Sequence, residues 1–392
     1  MSIGSRGDIE PFLAKGVELK DLGHEIGFCF PVQFKNLSEE VDVNFYPIDS
    51  AFLELLESQE VKMIMGQVGS AFTRIRALFK LIKVTKGIQQ QLIIDQFNAV
   101  NSFQPDKIIF NIKCIYPVIW GIEKQKIIEL LSPIPTLLHP LDEEPHVGFG
   151  NPHGRIWNRF TYWLANRALI YQSILAYGKS FLKAQNINLT FKQINRFLKN
   201  DLPTEYAVSP RIFGRPNYWP KHAVVTNFRE RNKSKNYTPS NELEDFLKRN
   251  PEPLFISFGS MVNSKPKQIG LDIITTSKKL GISVIINSSW GGIEIGGDIP
   301  ENVFVVKDIP YDYLFPQIKA GIHHGGSGTT HSLLSCNKPQ AIIPHIGDQF
   351  YWNRAIEKQR LGTKGFPIKK WDINKFEKLV NELLYFKLST KI

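Results

Sequence analysis

Cysteine is scarce in this chain of 392 residues, which has only Cys29, Cys114 and Cys336. They are odd in number and far apart, and they lack the paired spacing of a zinc site or of a disulfide framework. This cysteine usage is typical of a reducing compartment and predicts a cytoplasmic protein.

Long apolar runs are also missing. No stretch approaches the roughly 20 apolar residues that a membrane-spanning helix needs. At the start of the chain, Asp8, Glu10 and Pro11 interrupt the region where a signal peptide would need its apolar core. We therefore expect a protein that is soluble, or peripheral on the cytoplasmic face of a membrane.

The overall composition is that of a folded protein, with 42% hydrophobic and 22% charged residues. The length suits two domains, each with its own core. The net charge of +11 predicts attraction to an anionic partner: a nucleic acid, a phosphorylated ligand or a lipid surface. Nucleic acid is the least favoured of these, because the basic residues are dispersed and no nucleic-acid-binding motif occurs.

Apolar runs of strand length alternate with helical patterns in both halves of the chain. They lie at 26–30, 43–48, 107–112, 254–260, 283–289, 302–307, 320–324 and 339–345. Continuous apolar runs separated by helices are typical of a parallel sheet covered on both faces. The sequence therefore predicts an α/β protein with two Rossmann-like, doubly wound domains that face a cleft.

A polar, proline-containing stretch without apolar periodicity follows residue 228. We predict an N-terminal Rossmann-like domain over 1–228, a linker over 229–241, and a C-terminal Rossmann-like domain over 242–392.

The stretch "HHGGSGTTHSLLS" at 323–335 predicts a strand that turns through two glycines into a helix. The backbone N–H groups of Gly326, Ser327, Gly328 and Thr329 would lie at the positive end of that helix, where a phosphate binds readily. An imidazole of His323 or His324 would add a donor. The alternative is an ordinary turn with Ser327 as the N-cap.

Two further strand-to-helix turns carry polar residues. Asp348 and Gln349 follow the apolar run at 339–345 and suit hydrogen bonds to neighbouring sugar hydroxyls. Asp8 follows the glycine loop Gly4, Ser5, Arg6 and Gly7, just before a predicted helix. Its functional role would be that of a general base. Helix capping is the alternative for both aspartates.

These stretches together resemble the family one glycosyltransferases of the sterol glucosyltransferase and glycopeptide/macrolide glycosyltransferase group. The resemblance rests on residues 4–25 ("GSRGDIEPFLAKGVELKDLGHE"), 218–228 ("YWPKHAVVTNF"), 256–261 ("ISFGSM") and 309–364, which ends in "HIGDQFYWNRAIEKQRLGTK". It implies the two-domain GT-B architecture, an inverting mechanism and a nucleotide-sugar donor, with UDP-glucose favoured, and no other cofactor. The resemblance also implies that the C-terminal domain (242–392) binds the nucleotide sugar and that the N-terminal domain (1–228) binds the acceptor.

The resemblance also implies roles for individual residues. Asp8 matches the catalytic base, His323 with Gly326 to Thr329 the diphosphate-binding motif, and Asp348 and Gln349 the donor-sugar positions. Ser260 and Trp290 lie on loops that border the nucleotide in the family. No bound metal is implied, and no Asp-x-Asp triplet occurs in the chain. A metal site at His139, His146 and His153 lacks helical ligand spacing, so a mobile acceptor-side loop is the preferred interpretation.

The acceptor is less constrained. Residues 72–86 and 154–172 mix aromatic and aliphatic residues with arginine and lysine, which favours either an anionic lipid surface or an ordinary core-facing helix. A membrane contact would favour a lipid acceptor such as a sterol, and a soluble polyketide or peptide aglycone is the alternative. A sugar-nucleotide epimerase and a catalytically impaired nucleotide-sugar-binding protein are the other classes considered.

The ends of the chain depart from the family pattern. A full first strand normally precedes the glycine loop, whereas Met1–Ile3 precede it here, and the family continues into further helices beyond the position of Ile392. We expect incomplete pairing around the first strand, since a missing central strand leaves neighbouring backbone groups without partners.

Overall fold

A computed structural model describes residues 1–51, 54, 71–259, 261, 263–288 and 292–388. Contacts divide the chain into two compact units. Unit 1 comprises residues 1–146, 154–208 and 215–231, and unit 2 comprises residues 147–153, 209–214 and 232–392.

Unit 1 alternates strands and helices along most of its length. Its strands are β1 (Gly27–Pro31), β2 (Asn44–Ile48), β3 (Lys107–Phe110), β4 (Ile127–Ser132), β5 (Thr204–Ala207) and β6 (Ala223–Thr226). Its helices are α1 (Arg6–Asp21), α2 (Lys35–Glu39), α3 (Ala71–Phe103), α4 (Tyr116–Glu123), α5 (Arg155–Ala168), α6 (Lys179–Ala184) and α7 (Phe191–Arg196). Short π-helical segments continue α5 (Leu169–Tyr177) and α7 (Phe197–Asp201), and a 3₁₀ turn spans Val32–Phe34.

The strands of unit 1 form two parallel sheets. One consists of β1 and β2, and the other has the order β3-β4-β5-β6. Helix α1 buries Ile9, Phe12 and Leu13 against Phe28 and Phe30 of β1. This packing fixes the start of α1, and with it the loop that precedes the helix.

Unit 2 is a doubly wound α/β unit. Its strands are β7 (Leu254–Ser257), β8 (Val284–Asn287), β9 (Val303–Val306), β10 (Ala320–His323), β11 (Gln340–Ile342) and β12 (Gly362–Thr363). Its helices are α8 (Asn241–Arg249), α9 (Pro266–Leu280), α10 (Tyr311–Leu314), α11 (Ser327–Ser335), α12 (Gln349–Lys358) and α13 (Ile373–Leu384). Turns of 3₁₀ helix span Val147–Phe149, Ser234–Asn236, Phe315–Gln317 and Ile368–Lys370.

All neighbouring strands of the unit 2 sheet are parallel, in the order β12-β11-β10-β7-β8-β9. The strand order reverses between β7 and β10. In open α/β sheets such a switch point opens a crevice at the carboxyl ends of the strands, where ligands bind. The loops that follow β7 and β10 therefore lie where a ligand binds in sheets of this kind.

The fold class predicted from the sequence is confirmed: the chain is mixed α/β and its sheets are parallel. Each of the eight predicted apolar runs overlaps one of the strands. Four strands were missed, namely β4, β5, β6 and β12. Among the described residues, no helix is both long enough and apolar enough to cross a membrane.

Candidate functional site

The loop between β10 and α11 carries the predicted phosphate-binding motif. β10 ends at His323, and the helix begins at Ser327 with Gly326 as its N-cap. Ser327 is therefore the first helical residue and not the N-cap. Gly325 adopts a φ of +95°, and a Cβ there would lie 2.6 Å from Ile342 Cγ2. The turn thus requires glycine at this position.

The first turn of α11 offers the N–H groups that a phosphate needs. Gly328 and Thr329 lie in this turn, where backbone N–H groups have no carbonyl of the same helix to bond. The Thr330 N–H already donates to Gly326 O at 3.0 Å. The positive end of the helix favours an anion in front of these groups.

His323 does not face this turn, and its predicted contact with the diphosphate needs correction. Its side chain is fully buried. Its Nδ1 accepts from the Gly325 N–H at 3.1 Å, so Nε2 carries the proton and donates to Gln340 Oε1 at 2.9 Å. Burial lowers the pKa of His323 to about 3. This neutral ring holds the glycine turn in place and leaves no nitrogen for a ligand.

His324 is the better placed of the two histidines. Its ring lies between two glycines: a Cβ on Gly259 would approach His324 Cε1 to 2.7 Å, and a Cβ on Gly326 would approach Nε2 to 2.7 Å. The ring therefore sits at the switch point, between the loops that follow β7 and β10. Its buried Nδ1 has no hydrogen-bond partner in the described part of the chain. Burial lowers the pKa of His324 to about 4, so the ring is neutral at pH 7.

His331 was not singled out from the sequence, although it lies within the quoted motif. Its Nδ1 lies 2.7 Å from Ser327 O, and its Nε2 accepts from the Ser209 N–H at 3.2 Å. Its ring also packs edge-on against Trp352, with 5.2 Å between ring centroids. His331 thus ties the first residue of α11 to a second segment of unit 2 and to helix α12.

Asp348 lies at the N-cap position of α12, but its side chain makes no capping bond. Its Oδ2 accepts from Trp352 Nε1 at 3.0 Å, one turn along the helix. The indole thereby orients the carboxylate.

The contact of Gln349 with the donor sugar stays a prediction, and its carboxamide oxygen also has a role inside unit 2. Its Oε1 accepts from the N–H groups of His345 and Ile346, at 2.7 and 3.0 Å, and the side chain is buried. The carboxamide oxygen therefore shapes the loop after β11, because both of these bonds are internal to unit 2.

Asp8 belongs to unit 1 and lies within α1, in its first turn, and not in the preceding loop as predicted. Its Oδ2 accepts from the Ser5 N–H at 2.9 Å and from Ser5 Oγ at 3.3 Å. This is the capping geometry of a carboxylate at a helix N-terminus. The other oxygen, Oδ1, accepts from Lys113 Nζ at 2.7 Å.

The glycine loop before Asp8 is shaped around that carboxylate. Gly4 adopts a φ of +138°, and a Cβ there would lie 2.1 Å from Asp8 Oδ2. The side chain of Arg6 forms an ion pair one turn along the helix, with Nε lying 3.1 Å from Glu10 Oε1. A side chain at residue 4 would displace the carboxylate, whereas a Cβ at Gly7 would make only an ordinary contact with Ser5 Oγ, at 3.8 Å.

The remaining predictions concern three other places. Ser260 and Trp290 lie outside the described residues. The His139 ring bonds Tyr206 Oη at 2.9 Å and is buried. Within the part of the chain that the structure describes, no group of three or more histidine, cysteine, aspartate or glutamate residues is arranged to hold a metal ion.

Comparison with known proteins agrees with this architecture. Residues 1–116 match the glycosyltransferase family 28 N-terminal domain, and residues 274–374 match the C-terminal domain of erythromycin biosynthesis protein CIII-like proteins. Solved structures share the fold over 98% of this chain. One is the glycosyltransferase of kitacinnamycin, with a TM-score of 0.68, 14% identity and 89% of that chain covered. Another is glycosyltransferase VinC in complex with dTDP, with a TM-score of 0.64, 15% identity and 90% of that chain covered. The chain therefore shares the GT-B fold of these glycosyltransferases, and its two ends match these two family domains.

In sequence, the chain is similar to sterol 3-beta-glucosyltransferases. One such protein of Arabidopsis thaliana is 29% identical over 399 residues, which cover 100% of this chain and 63% of that protein. A second from the same plant is 25% identical, covering 97% of this chain and 60% of the relative. The chain thus spans about three-fifths of the length of these two relatives.

Proposed function

We propose that the protein is an inverting glycosyltransferase that transfers a hexose, glucose from UDP-glucose, to a hydroxyl group of a lipophilic acceptor such as a sterol. The observation that carries this proposal is the similarity along the whole chain to proteins named sterol 3-beta-glucosyltransferases. The identities of the nucleotide donor, the transferred sugar and the acceptor all belong to the proposal.

The proposed reaction is a single displacement at the anomeric carbon. Asp8 accepts the proton of the acceptor hydroxyl, and that oxygen forms the new bond to the sugar. The bond between the anomeric carbon and the diphosphate oxygen breaks, and its electron pair leaves with the nucleoside diphosphate. Attack opposite the leaving group inverts the configuration.

The donor half of the proposal rests on unit 2. The N–H groups at the start of α11 stabilise, by hydrogen bonding, the negative charge that develops on the leaving diphosphate. The unpartnered Nδ1 of His324 supports a direct contact with the nucleotide sugar, since an unsatisfied buried nitrogen costs free energy until it is bonded. We assign Asp348 to the sugar hydroxyls, because its carboxylate is oriented by Trp352.

A lipophilic acceptor is supported by helix α5, whose exposed side is apolar. Ile156 is 88% exposed and Trp163 is 51% exposed, and Trp157, Phe160 and Leu164 are exposed on the same side. The opposite side buries Asn158, Thr161 and Tyr162. Such an arrangement reverses that of a core-facing helix, and it suits insertion into the interface of a lipid bilayer.

Basic residues accompany this apolar side. Arg167 lies over the Trp163 ring at 4.5 Å, and Arg155 and Arg159 share the carboxylate of Asp142. We therefore propose that α5 contacts an anionic membrane on its cytoplasmic face, from which the acceptor is taken. The solved relatives include a calicheamicin glycosyltransferase, so a soluble aglycone is the alternative acceptor.

The reaction is tested with purified protein, radiolabelled UDP-glucose and sterol-containing vesicles, with label counted in the organic phase. We expect label with the wild type and its loss with Asp8→Asn. Asp21→Asn, at the other end of α1, is the matched control and should retain activity. A protein that binds UDP-glucose without transferring label to a sterol or to an aglycone would instead be a catalytically impaired homologue.

The membrane contact is tested separately by sedimentation with vesicles of phosphatidylcholine, with and without phosphatidylserine. We expect binding to the anionic vesicles and its loss when Trp157, Phe160 and Trp163 are all changed to serine. Tyr385→Ser removes an exposed aromatic residue elsewhere and should bind like the wild type. Equal binding of the triple variant would exclude α5 as the contact surface.

A further inference from the structure

One stretch of unit 1 carries positive charge that its own sequence does not balance. Between Glu144 and Asp201 the chain has no acidic residue. Eight basic residues fall there, namely Arg155, Arg159, Arg167, Lys179, Lys183, Lys192, Arg196 and Lys199, so the stretch carries a charge of +8, against +11 for the whole chain. It forms α5, α6 and α7 with their π-helical continuations, which pack on one another. This part of unit 1 therefore attracts anions.

The three arginines of α5 differ in their partners. Arg155 Nε and Arg159 Nε lie 3.3 and 2.6 Å from the carboxylate of Asp142. Arg167 forms no ion pair and no hydrogen bond with any part of the chain that the structure describes, and its Nε is buried without a partner. A partly desolvated guanidinium without an anion costs free energy, and an anion from outside the chain would offset this cost.

Aromatic rings fix the position of the Arg167 guanidinium. Its Cζ lies over the Trp163 ring, 4.5 Å from the centroid, and over the Phe191 ring of α7, at 5.2 Å. Tyr171 stacks on Phe191, with 4.5 Å between the ring centroids and 19° between the planes. Such contacts stabilise the cation electrostatically and leave its N–H groups to bond an acceptor. Arg167 is only half-buried, so part of its side chain stays accessible.

Arg167 lies at the end of a row of exposed aromatic side chains. The aromatic residues, Trp157, Phe160 and Trp163, are three positions apart on α5. Arg167 follows four positions later, so it shares their side of the helix. The Phe160 ring lies 5.9 Å from Trp157 and 5.4 Å from Trp163, between centroids. When such a row inserts into the interface of a bilayer, a cation at its end lies at the level of the head groups, where the phosphates are.

We infer that Arg167 is a binding site for the phosphate of an anionic phospholipid. The planar guanidinium donates two hydrogen bonds to two phosphate oxygens, a geometry that arginine offers and lysine does not. The basic stretch around it attracts the lipid, and the aromatic row lies among the acyl chains. The inference rests on the proposed contact of α5 with a membrane, and it adds the chemical group that is bound and the side chain that binds it.

A specific phosphate site and a diffuse attraction between charges predict different effects of substitution. Diffuse attraction depends on the number of cations, so Arg167→Lys would change nothing, and the loss of any one exposed cation would weaken binding equally. A phosphate site depends on the guanidinium itself. Lys192 is the matched control, because it is an exposed cation of the same stretch and adjoins Phe191.

The test is sedimentation of the purified chain with vesicles of phosphatidylcholine and phosphatidylglycerol. We expect Lys192→Met to lower the partition coefficient about fivefold, the effect of one charge near an anionic surface. Arg167→Lys should lower it about tenfold, since a charge-assisted hydrogen bond is lost while the charge remains. Arg167→Met should lower it about 50-fold, because both contributions are lost. The inference is overturned if Arg167→Lys binds like the wild type, or if Arg167→Met binds no more weakly than Lys192→Met.

A second measurement uses the unaltered chain and does not depend on how well a variant folds. Butanedione modifies accessible arginines, and mass spectrometry of peptides locates the modified residues. Phosphatidylglycerol vesicles should protect Arg167 and leave the exposed Arg249 of unit 2 reactive. Inorganic phosphate at the same phosphate concentration, without vesicles, should protect neither. Protection of Arg167 by free phosphate alone would assign the site to a soluble anion, and an Arg167 that does not react without vesicles would be closed to any phosphate. Either result overturns the inference.

Failure of this inference is distinguishable from failure of the proposed function. None of these measurements involves sugar transfer, so a chain that binds vesicles through Arg167 without transferring glucose would contradict only the proposed reaction. If the triple serine variant of Trp157, Phe160 and Trp163 loses binding while Arg167→Lys binds normally, the membrane contact of α5 stands and the phosphate site is excluded.

Discussion

Lys113 Nζ lies 2.7 Å from Asp8 Oδ1, although the two residues are 105 positions apart in the sequence. The lysine follows β3, and the aspartate lies in the first turn of α1. Ser5 holds the other carboxylate oxygen. The carboxylate is therefore fixed from two sides, which a general base requires if it is to meet a hydroxyl proton in one geometry.

Replacing Lys113 by methionine removes the cation and keeps most of the side-chain volume. We expect kcat to fall roughly tenfold with little change in KM for the donor, because the carboxylate loses one of its two restraints. Lys113→Arg should restore most of the activity. Equal kcat for the wild type and Lys113→Met would show that Ser5 alone positions Asp8.

Gly4→Ala places a methyl group where the Asp8 carboxylate lies. The new Cβ would be 2.1 Å from Oδ2, and the φ of +138° disfavours any side chain. We expect transfer activity to fall by about 100-fold or more and Tm to fall by several degrees.

The control for Gly4 is Gly7, two positions from Ser5 in the same motif. A Cβ on Gly7 would meet only Ser5 Oγ, at 3.8 Å, and alanine favours the helix. Gly7→Ala should therefore keep activity and leave Tm unchanged or slightly raised. Loss of activity in both variants would point to the loop sequence itself and not to displacement of the carboxylate.

The fold class could be predicted because most strands are apolar on both faces, and because the sequence shows helical patterns between them. β4 and β5 were missed because each carries a glutamate. Glu129 pairs with Lys107 on the neighbouring strand, and Glu205 pairs with Lys15 and Arg229. These partners are distant in sequence, so a single strand gives no sign that its charge is neutralised.

The candidate site could be located from its motifs, but its side chains could not be assigned. His323 is turned inward by Gln340 of the neighbouring strand, a contact that depends on the strand order. The pairing of Lys113 with Asp8 likewise depends on where β3 ends relative to α1. The adjacent residues of "HHGG" therefore predict a loop, but they do not show which of the two histidines faces a ligand.

His331→Ala should weaken nucleotide binding without direct contact with the nucleotide. The variant loses the bonds to Ser327 O and the Ser209 N–H, so the first turn of α11 loses its support. We expect Kd for UDP to rise about tenfold, corresponding to roughly 1.4 kcal/mol. Ser335→Ala, at the far end of α11, is the control. A fall in Tm with unchanged Kd would indicate a purely structural role.

Stability should fall in mild acid. Burial lowers the pKa of His324 and His331 to about 4 and that of His345 to about 3, below the ordinary 6.5. As pH falls, these histidines therefore take up protons in the unfolded chain at a higher pH than in the folded protein. The stabilisation is complete above pH 6.5 and is lost as pH falls towards 4. We expect the urea midpoint to decline over this range. His345→Gln should make the decline shallower, with exposed His24→Gln as the control, and a midpoint independent of pH would contradict the argument.

Glu205→Gln tests the buried charge cluster that joins α1 to the end of unit 1. The Glu205 side chain is almost wholly buried. It accepts from Thr226 Oγ1 at 2.7 Å, lies 3.5 Å from Lys15 Nζ and pairs with Arg229. Removing its charge leaves two cations without their shared partner, which costs about 3 kcal/mol or more in comparable cases.

Glu39→Gln breaks an exposed pair with Lys35 and should cost less than about 0.5 kcal/mol. Urea unfolding followed by fluorescence separates the two variants, and equal midpoints would show that the cluster contributes no more than a surface pair.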